Sequence, residues 1–359
     1  MKKLGEIGEV KMCRRIFNNE TTQTGDIPFF KIGSFGKDAD AFISKELYSD
    51  YKKRFSFPKK GDILISAAGT IGRTVVYNGE DAYFQDSNIV WIDNDNTKIT
   101  NEFLYYILQI VKYNTEGGTI QRLYNNILKS TKFSSPLIEE QQKIASFLSL
   151  IEERIQTQIK IIEELKLLKN TLSKKIFSRQ LRFKDDNGND FPEWQHKKLG
   201  ELATITTGSS NREDSILDGE YTFFDRSQDV RTSKRYLFNK EAVIVPGEGQ
   251  KFTPKYFMGK FDLHQRTYAI FDFIELSGKY LYYHIDIDEK YLQSQAVGST
   301  VKSLRLPMFQ SMPIKLPPLE EQMKIANFLL SIDTKIDVET ELLEKLEKQK
   351  KYLLQNLFI

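Results

Sequence analysis

Apolar residues recur at alternating steps of four and three over two long stretches of the chain. In the first they are Ile144, Leu148, Ile151, Ile155, Ile162, Leu165, Leu172 and Ile176, with the polar residues Gln158 and Lys169 in phase. This is the a/d seam of a coiled-coil helix. Adding 181 to each number gives Ile325, Leu329, Ile332, Ile336, Leu343, Leu346, Leu353 and Leu357, and the polar pair falls on Glu339 and Lys350. A chance amphipathic helix would not repeat its exceptions, so a pairing seam is expected rather than two separate surface helices. Polar seam residues set register and direction at some cost in stability.

Each seam follows nearly the same segment, P-L-I-E-E-Q-Q-K-I-A-S-F-L from Pro136 and P-P-L-E-E-Q-M-K-I-A-N-F-L from Pro317. The repeat also reaches upstream. K-K-L-G-E stands at 2–6 and again at 197–201, Phe29-Phe30 answers Phe223-Phe224, and F-L-Y-Y-I at 103–107 answers Y-L-Y-Y-H at 280–284. Glycine-containing turns follow at 117–120 and 298–301. The plan is therefore a globular domain (1–135), a helix (136–183), a second globular domain (184–316) and a second helix (317–359). The polar joint K-D-D-N-G-N-D at 184–190 reads as a loop.

Short β-rich runs at 62–66, 74–77 and 88–92 predict strands in the first domain, and 103–112 predicts a helix. In the second domain, 242–245 and 268–271 read as strands, with a turn at 246–251. The fold class expected is α+β: two mixed α/β domains separated by two long paired helices, related by an internal repeat. The copies agree at their margins and apolar positions while their middles differ. One scaffold reading two unlike things would produce that pattern.

Composition narrows the function. With 359 residues, 40% hydrophobic and 28% charged, the chain can bury two cores. A net charge of +3 is too mild to demand a polyanionic partner, so any nucleic-acid surface must be a local patch. Cys13 is the only cysteine, which excludes an intramolecular disulfide and fits a reducing compartment. Neither a spanning apolar run nor a signal peptide is visible, so cytoplasm and no membrane are expected. His196, His264 and His284 lack ligand-like spacing, and no metal site is expected.

Catalytic motifs are also missing. The chain has no G-x-x-x-x-G-K-S/T phosphate loop, no G-x-G-x-x-G, and no Asn/Asp-Pro-Pro-aromatic tetrapeptide of an amino-methyltransferase. Glu9-Val10-Lys11 has the E-x-K ending of some nuclease metal sites but no upstream acidic partner motif. A chain that binds and does not cut is expected, with no catalytic residue.

The binding candidates lie on polar or glycine-bearing loops. In the first domain they are Lys31, Ser34, Ser66, Gly69, Thr70, Arg73, Gln121, Arg122 and Asn125. In the second they are Arg212, Arg226, Gln228, Gln250, Lys251, Lys302 and Arg305. Glycine lets a backbone approach a phosphate closely, and Arg, Gln and Asn can pair bidentately with guanine or adenine edges. Lys52-Lys53-Arg54 and Lys59-Lys60 are further candidates for neutralising phosphates.

The openings K-K-L-G-E, the F-P-E-W at 191–194, the G-T-I-G-R at 69–73 and the paired E-Q-x-K-I-A segments together resemble specificity subunits of type I restriction–modification systems. The resemblance covers essentially the whole chain. It implies two target-recognition domains, each reading one half of a split double-stranded DNA site, with the helices paired antiparallel as the spacer. It further implies docking of two methyltransferase subunits, joined by two restriction/translocase subunits. Glu140, Gln141, Ile144 and Phe147, with Glu321, Gln322, Ile325 and Phe328, are the partner-interface positions expected from the repeated segments. S-adenosylmethionine, ATP and Mg²⁺ would belong to those partners and none to this chain.

Two departures accompany the resemblance. The first domain begins at once with Lys2-Lys3-Leu4-Gly5, so its F-P-E-W lead-in is either upstream of Met1 or dispensable. The second domain replaces G-T-I-G-R with P-G-E-G-Q-K at 246–251. From Ile144 to Ile176 a helix spans about 48 Å at about 1.5 Å per residue, roughly the length of fourteen base pairs. Unlike domains that far apart suit an asymmetric site with an unread gap. The alternative is a coiled-coil adaptor whose domains bind proteins without DNA specificity; a free-standing DNA-modifying enzyme lacks its cofactor motifs.

Overall fold

The structure is a computed structural model that describes residues 1–113 and 122–358. It divides into two compact units, Met1–Gln158 with Leu342–Ile359, and Ile159–Glu341. Each long helix, Ile138–Phe177 and Leu319–Asn356, contributes one part to each unit.

The first unit is built on a four-stranded antiparallel sheet in the order Gly8–Lys11, Ile89–Asn94, Ile63–Ser66, Thr74–Val76. Side chains alternate across a strand, and here both faces are buried. Ile63, Ile65, Val90 and Ile92 pack with the helix Asn101–Ile110. Leu64, Ile89 and Trp91 face an aromatic layer with Phe29, Phe35 and Tyr83. Thr100 caps that helix by accepting the Phe103 N–H. Leu148 and Ala145 of the first long helix join the same core, together with Ile144 and, from the end of the second long helix, Leu353, Leu354 and Phe358. The helices are therefore antiparallel.

The second unit repeats the scheme on a larger sheet. Its order is Thr204–Thr207, Thr267–Phe271, Phe238–Pro246, Lys255–Leu263, Tyr221–Phe224, Arg231–Ser233, and only the pairing of Tyr221–Phe224 with Lys255–Leu263 is parallel. Val243, Val245 and Ile270 face the helix Gly278–Ile287, while Ala242, Ile244, Ala269 and Phe271 face a second cluster around Phe224 and Phe261. The expected strand 242–245 is the inner part of a nine-residue strand. Its partner, Lys255–Leu263, was not anticipated because Gly259 and Lys260 interrupt the apolar run. Leu172, Ile176 and Phe177 pack against Ile325, Leu329, Ile332 and Ile336, again antiparallel.

The polar seam lysines are explained by matching ion pairs. Lys350 meets Glu152 at 2.6 Å, and Tyr106 donates to the same carboxylate at 3.1 Å. In the second unit Lys169 meets Asp333 at 2.7 Å, and Tyr283 donates to it at 2.7 Å. Each pair joins the two helices and ties them to a domain helix. The joint at 184–190 is a tight loop, in which Asp185 accepts N–H bonds from Asn187 and Asn189 and Gly188 adopts φ +83°.

Candidate nucleic-acid interface

In the first unit the loop after Ile63–Ser66 is held from below. Ser66 is buried; its hydroxyl donates to the Thr70 carbonyl and accepts the Arg73 N–H at 2.9 Å. Gly69 and Gly72 have φ of +64° and +80°, and a Cβ at Gly72 would lie 2.9 Å from the Tyr113 ring. Only glycine is comfortable there. The Leu123 N–H donates to the Ala67 carbonyl at 2.9 Å, and Arg122 bridges to Ala68. Arg73 donates to the Phe35 carbonyl at 2.8 Å, and the Ile32 N–H to the Gln85 side chain at 3.0 Å.

Segments 31–35, 66–73 and 122–125 thus meet at one end of the sheet. Gly69, Thr70, Arg122 and Asn125 are exposed there, while Lys31 and Arg73 are half-buried. Ser34 and Ser66 are buried, and each hydrogen-bonds its own turn, so both brace the loops that carry the exposed candidates. Gln121 lies outside the described residues. Of the lysine-rich candidates, Lys52, Arg54 and Lys59 already pair with Asp81, Asp50 and Asp93.

The second unit reproduces the clasp with different contents. The Leu304 N–H donates to the Gly247 carbonyl at 2.8 Å, and the Gly249 N–H to Lys302 at 3.0 Å. This brings Gln250, Lys251 and Lys302 together, all exposed. Beside them opens a groove of about 760 Å³ that Arg212 and Arg226 line. Gln228 is exposed on the next loop, and Arg305 stands at the N-cap of the short helix Leu306–Gln310.

Several groove residues escaped the sequence reading. Glu248 receives Arg226 at 3.0 Å and Arg266 at 2.7 Å, so one carboxylate orients two guanidinium groups. Buried Asp225 accepts from Ser227 and pairs with Arg231 at 3.1 Å. Burial alone would raise its pKa, but these hydrogen bonds and the nearby charge hold it below the ordinary carboxylate range. Burial lowers the pKa of His264, whose Nδ1 accepts the Arg266 N–H. These residues come from separate hairpins. The one local signal was an Arg in the tight turn between strands Lys255–Leu263 and Thr267–Phe271.

The expected partner-interface positions divide. Glu140 and Phe147 are exposed, and Phe328 is half-buried. Gln141, Glu321, Gln322 and Ile325 are corrected to internal positions, all at 0% exposure. Gln141 accepts the Thr100 N–H at 3.0 Å and donates to the Lys98 and Pro136 carbonyls at 3.1 and 2.9 Å. Gln322 does the same with Ser277, Glu275 and Pro317 at 2.8, 2.9 and 2.9 Å. The repeated Gln is a clamp between a long helix and the cap of a domain helix; glutamine fits because it both donates and accepts. Glu321 accepts from Arg182 and from the Trp194 indole, each at 2.9 Å. Ile144 is half-buried against the core.

Among the described residues no cluster of His, Cys, Asp and Glu is arranged to hold a metal ion. No helix among them is long and apolar enough to cross a membrane.

The family described as type I restriction modification DNA specificity domain matches residues 1–167 and 192–348. A Haemophilus influenzae protein named as a type I restriction enzyme specificity subunit is 59% identical over 150 residues, 42% of this chain and 39% of that protein. The chain therefore spans well under half the length of that relative. A Methanocaldococcus jannaschii protein of the same designation is 26% identical over 325 residues, 82% of this chain and 76% of the relative. The crystal structure of a type I restriction–modification S subunit from M. genitalium shares the fold. It is 17% identical, with a TM-score of 0.65, covering 100% of this chain and 95% of that one.

Proposed function

This chain belongs to the type I restriction–modification DNA specificity family, and on that premise we propose that it reads a split, asymmetric double-stranded DNA sequence for a methyltransferase and endonuclease complex. The first domain (1–135) reads one half and the second (184–316) the other. The antiparallel helices set the unread gap between the halves and dock two methyltransferase subunits, which two restriction/translocase subunits join. The chain itself carries no catalytic step. S-adenosylmethionine, ATP and Mg²⁺ are held by its partners, and the complex works in the cytoplasm.

The observation that carries this reading is the repeated clasp. Leu123 on Ala67 and Leu304 on Gly247 support the same frame, yet one frame presents Thr70, Arg73, Arg122 and Asn125 and the other Arg226, Gln250, Lys251 and Arg266. Arg and Asn or Gln are the side chains that discriminate guanine and adenine in the major groove. Glycine at 69 and 72 admits a phosphate close to the backbone. Arg226 and Arg266, oriented by Glu248, are pre-arranged for directional contacts rather than for diffuse attraction.

The test is genome-wide adenine-methylation mapping in cells carrying this chain with its cognate methyltransferase subunit, against cells lacking it. A new bipartite, asymmetric motif is expected, and exchanging residues 1–135 for those of a relative should alter one half only. An active, bound methyltransferase that produces no such motif refutes the reading. A change in both halves after the exchange also refutes the division of labour.

A further inference from the structure

In the second unit the carboxylate at the centre of the groove is fixed by backbone on both sides. The Gly247 N–H donates to the Arg266 carbonyl at 2.9 Å and the Gly249 N–H to the Lys302 carbonyl at 3.0 Å, while Glu248 between them bridges to Ser303. A Cβ at Gly247 would lie 2.7 Å from the Arg266 carbonyl oxygen, so the two hairpins touch there backbone to backbone. Arg266 is held a second time, because its N–H donates to His264 Nδ1 at 3.1 Å. Burial, with Arg226 and Arg266 close by, favours the neutral imidazole that this bond requires.

Glu248 engages only one nitrogen of each guanidinium. Arg226 donates through Nη1 at 3.0 Å, and Arg266 through Nη1 at 2.7 and 2.9 Å to the two carboxylate oxygens. Among the described residues, Nε and Nη2 of neither arginine donate to another group of the chain. The Glu248 side chain is 16% exposed, whereas those of Arg226 and Arg266 are 52% and 57% exposed. Each arginine therefore keeps its Nε–Nη2 edge open to solvent, and that edge can donate to two acceptors at once. Both Nη1 atoms lie within 3.0 Å of the same Glu248 oxygen. The two open edges are thus separated by no more than about three base-pair rises of 3.4 Å.

We propose that Arg226 and Arg266 read two guanines of the second half-site, no more than about three base pairs apart, and that Glu248 is the positioning residue that aims both. This rests on the DNA-reading role proposed above and gives it a base identity. Guanine presents two acceptors, O6 and N7, to the major groove, which matches an open Nε–Nη2 edge. A phosphate is a poorer match. Glu213 and Asp225 line the groove beside Glu248, and their charge opposes an anion more than a neutral base edge. The first unit has no such centre, since the bridge Ala68–Arg122 stands where Glu248–Ser303 stands in the second.

The test maps adenine methylation in cells carrying the cognate methyltransferase subunit with the wild-type chain, Arg226→Ala, Arg266→Ala, Glu248→Gln or Glu248→Asp. The wild-type second half-site should contain two guanines at that spacing, on either strand. Each arginine variant should lower the preference for a different one of them by about tenfold. Glu248→Gln should relax both and leave the first half-site unchanged, and Glu248→Asp, which keeps the charge, should relax them less. Methylation gained at relaxed sites can come only from a folded, assembled chain, so misfolding does not imitate the result. A second half-site without the two guanines overturns the proposal. So does an unchanged motif in the arginine variants with weaker binding to every sequence and a salt slope reduced by about one, which would make the arginines phosphate contacts. In both cases the bipartite motif, and with it the DNA-reading role, survives. Relaxation by the arginine variants that Glu248→Gln does not share overturns the positioning role. A variant complex that assembles but methylates no site overturns the proposal as well. An active, bound wild-type complex that yields no bipartite motif refutes the DNA-reading role itself, and this inference with it.

Discussion

Replacing Arg182 with methionine isolates one buried charge. Methionine keeps most of the aliphatic stem but removes the guanidinium that donates to Glu321 at 2.9 and 3.2 Å and to the Pro192 carbonyl at 2.7 Å. Glu321, at 0% exposure, would be left with the Trp194 indole alone. Breaking a buried ion pair from one side costs about 3–5 kcal/mol. Because Arg182 is 22% exposed, solvent already screens part of the pair, which favours the lower end of that range.

A stranded carboxylate can also escape by taking up a proton. For an ordinary glutamate that costs about 4 kcal/mol at pH 7 and about 1 kcal/mol at pH 5. The expected loss is therefore about 3 kcal/mol at pH 7, roughly a 6–12 °C fall in melting temperature for a unit of this size, and it should shrink toward about 1 kcal/mol at pH 5.

The assay is urea and thermal unfolding followed by Trp194 fluorescence in a Trp91→Phe background, Trp91 being the only other tryptophan. Referring each pH to the parent protein cancels other titrations. Arg182→Met combined with Glu321→Gln should recover most of the loss, because no charge is then left behind. A loss under about 1 kcal/mol at pH 7, a loss independent of pH, or strict additivity in the double variant would refute the buried-charge reasoning.

Other consequences are as direct. His284 is buried, its pKa is lowered to about 4, and it sits edge-on to Phe177. A histidine depressed in the folded state stabilises fully above its unfolded pKa near 6.5 and loses that contribution as pH falls toward 4. The second unit should thus lose about 2 kcal/mol between pH 7 and 5, and His284→Leu should flatten that slope in pH-dependent urea melts. Burial pushes the Cys13 thiol up to about 12, so alkylation by iodoacetamide should proceed at the rate of unfolding of the first unit and not at a free-thiol rate. Arg122→Ala should weaken specific DNA binding by about 1–3 kcal/mol and relax one position of the first half-site in methylation maps. Ser66→Ala, which acts on the loop's framework, should lower the melting temperature of the first unit and leave the sequence preference of the folded protein unchanged.

Much of the architecture was legible because periodicity is local. Burial on one helix face forces apolar residues to recur with the helical period, so the seam from Ile144 to Ile176 announced a long helix before any partner was known. Its repetition 181 residues later announced a second. The runs at 62–66 and 88–92 declared themselves similarly, as short β-rich stretches, and they fall on the strands Ile63–Ser66 and Ile89–Asn94. Gly69 was legible as a loop glycine that lets the backbone approach a phosphate, whereas the left-handed conformation of Gly69 and Gly72 appears only in the fold.

Pairing between distant residues was another matter. Nothing near Glu248 in the chain says that Arg226 and Arg266 will converge on it, because that meeting depends on how two hairpins lie in one sheet. The same holds for Gln141, Gln322 and Glu321. Their repeated motif was visible and drew a surface role, yet each is buried against a helix cap or connector lying 41 to 139 positions away. Identity and spacing determine which helices and strands form and that they form twice. Which polar side chains turn inward to satisfy one another, and which stay outside to read a ligand, is decided only when the tertiary fold chooses the groups that lose their water, since a buried polar atom must find its partner wherever the fold supplies one.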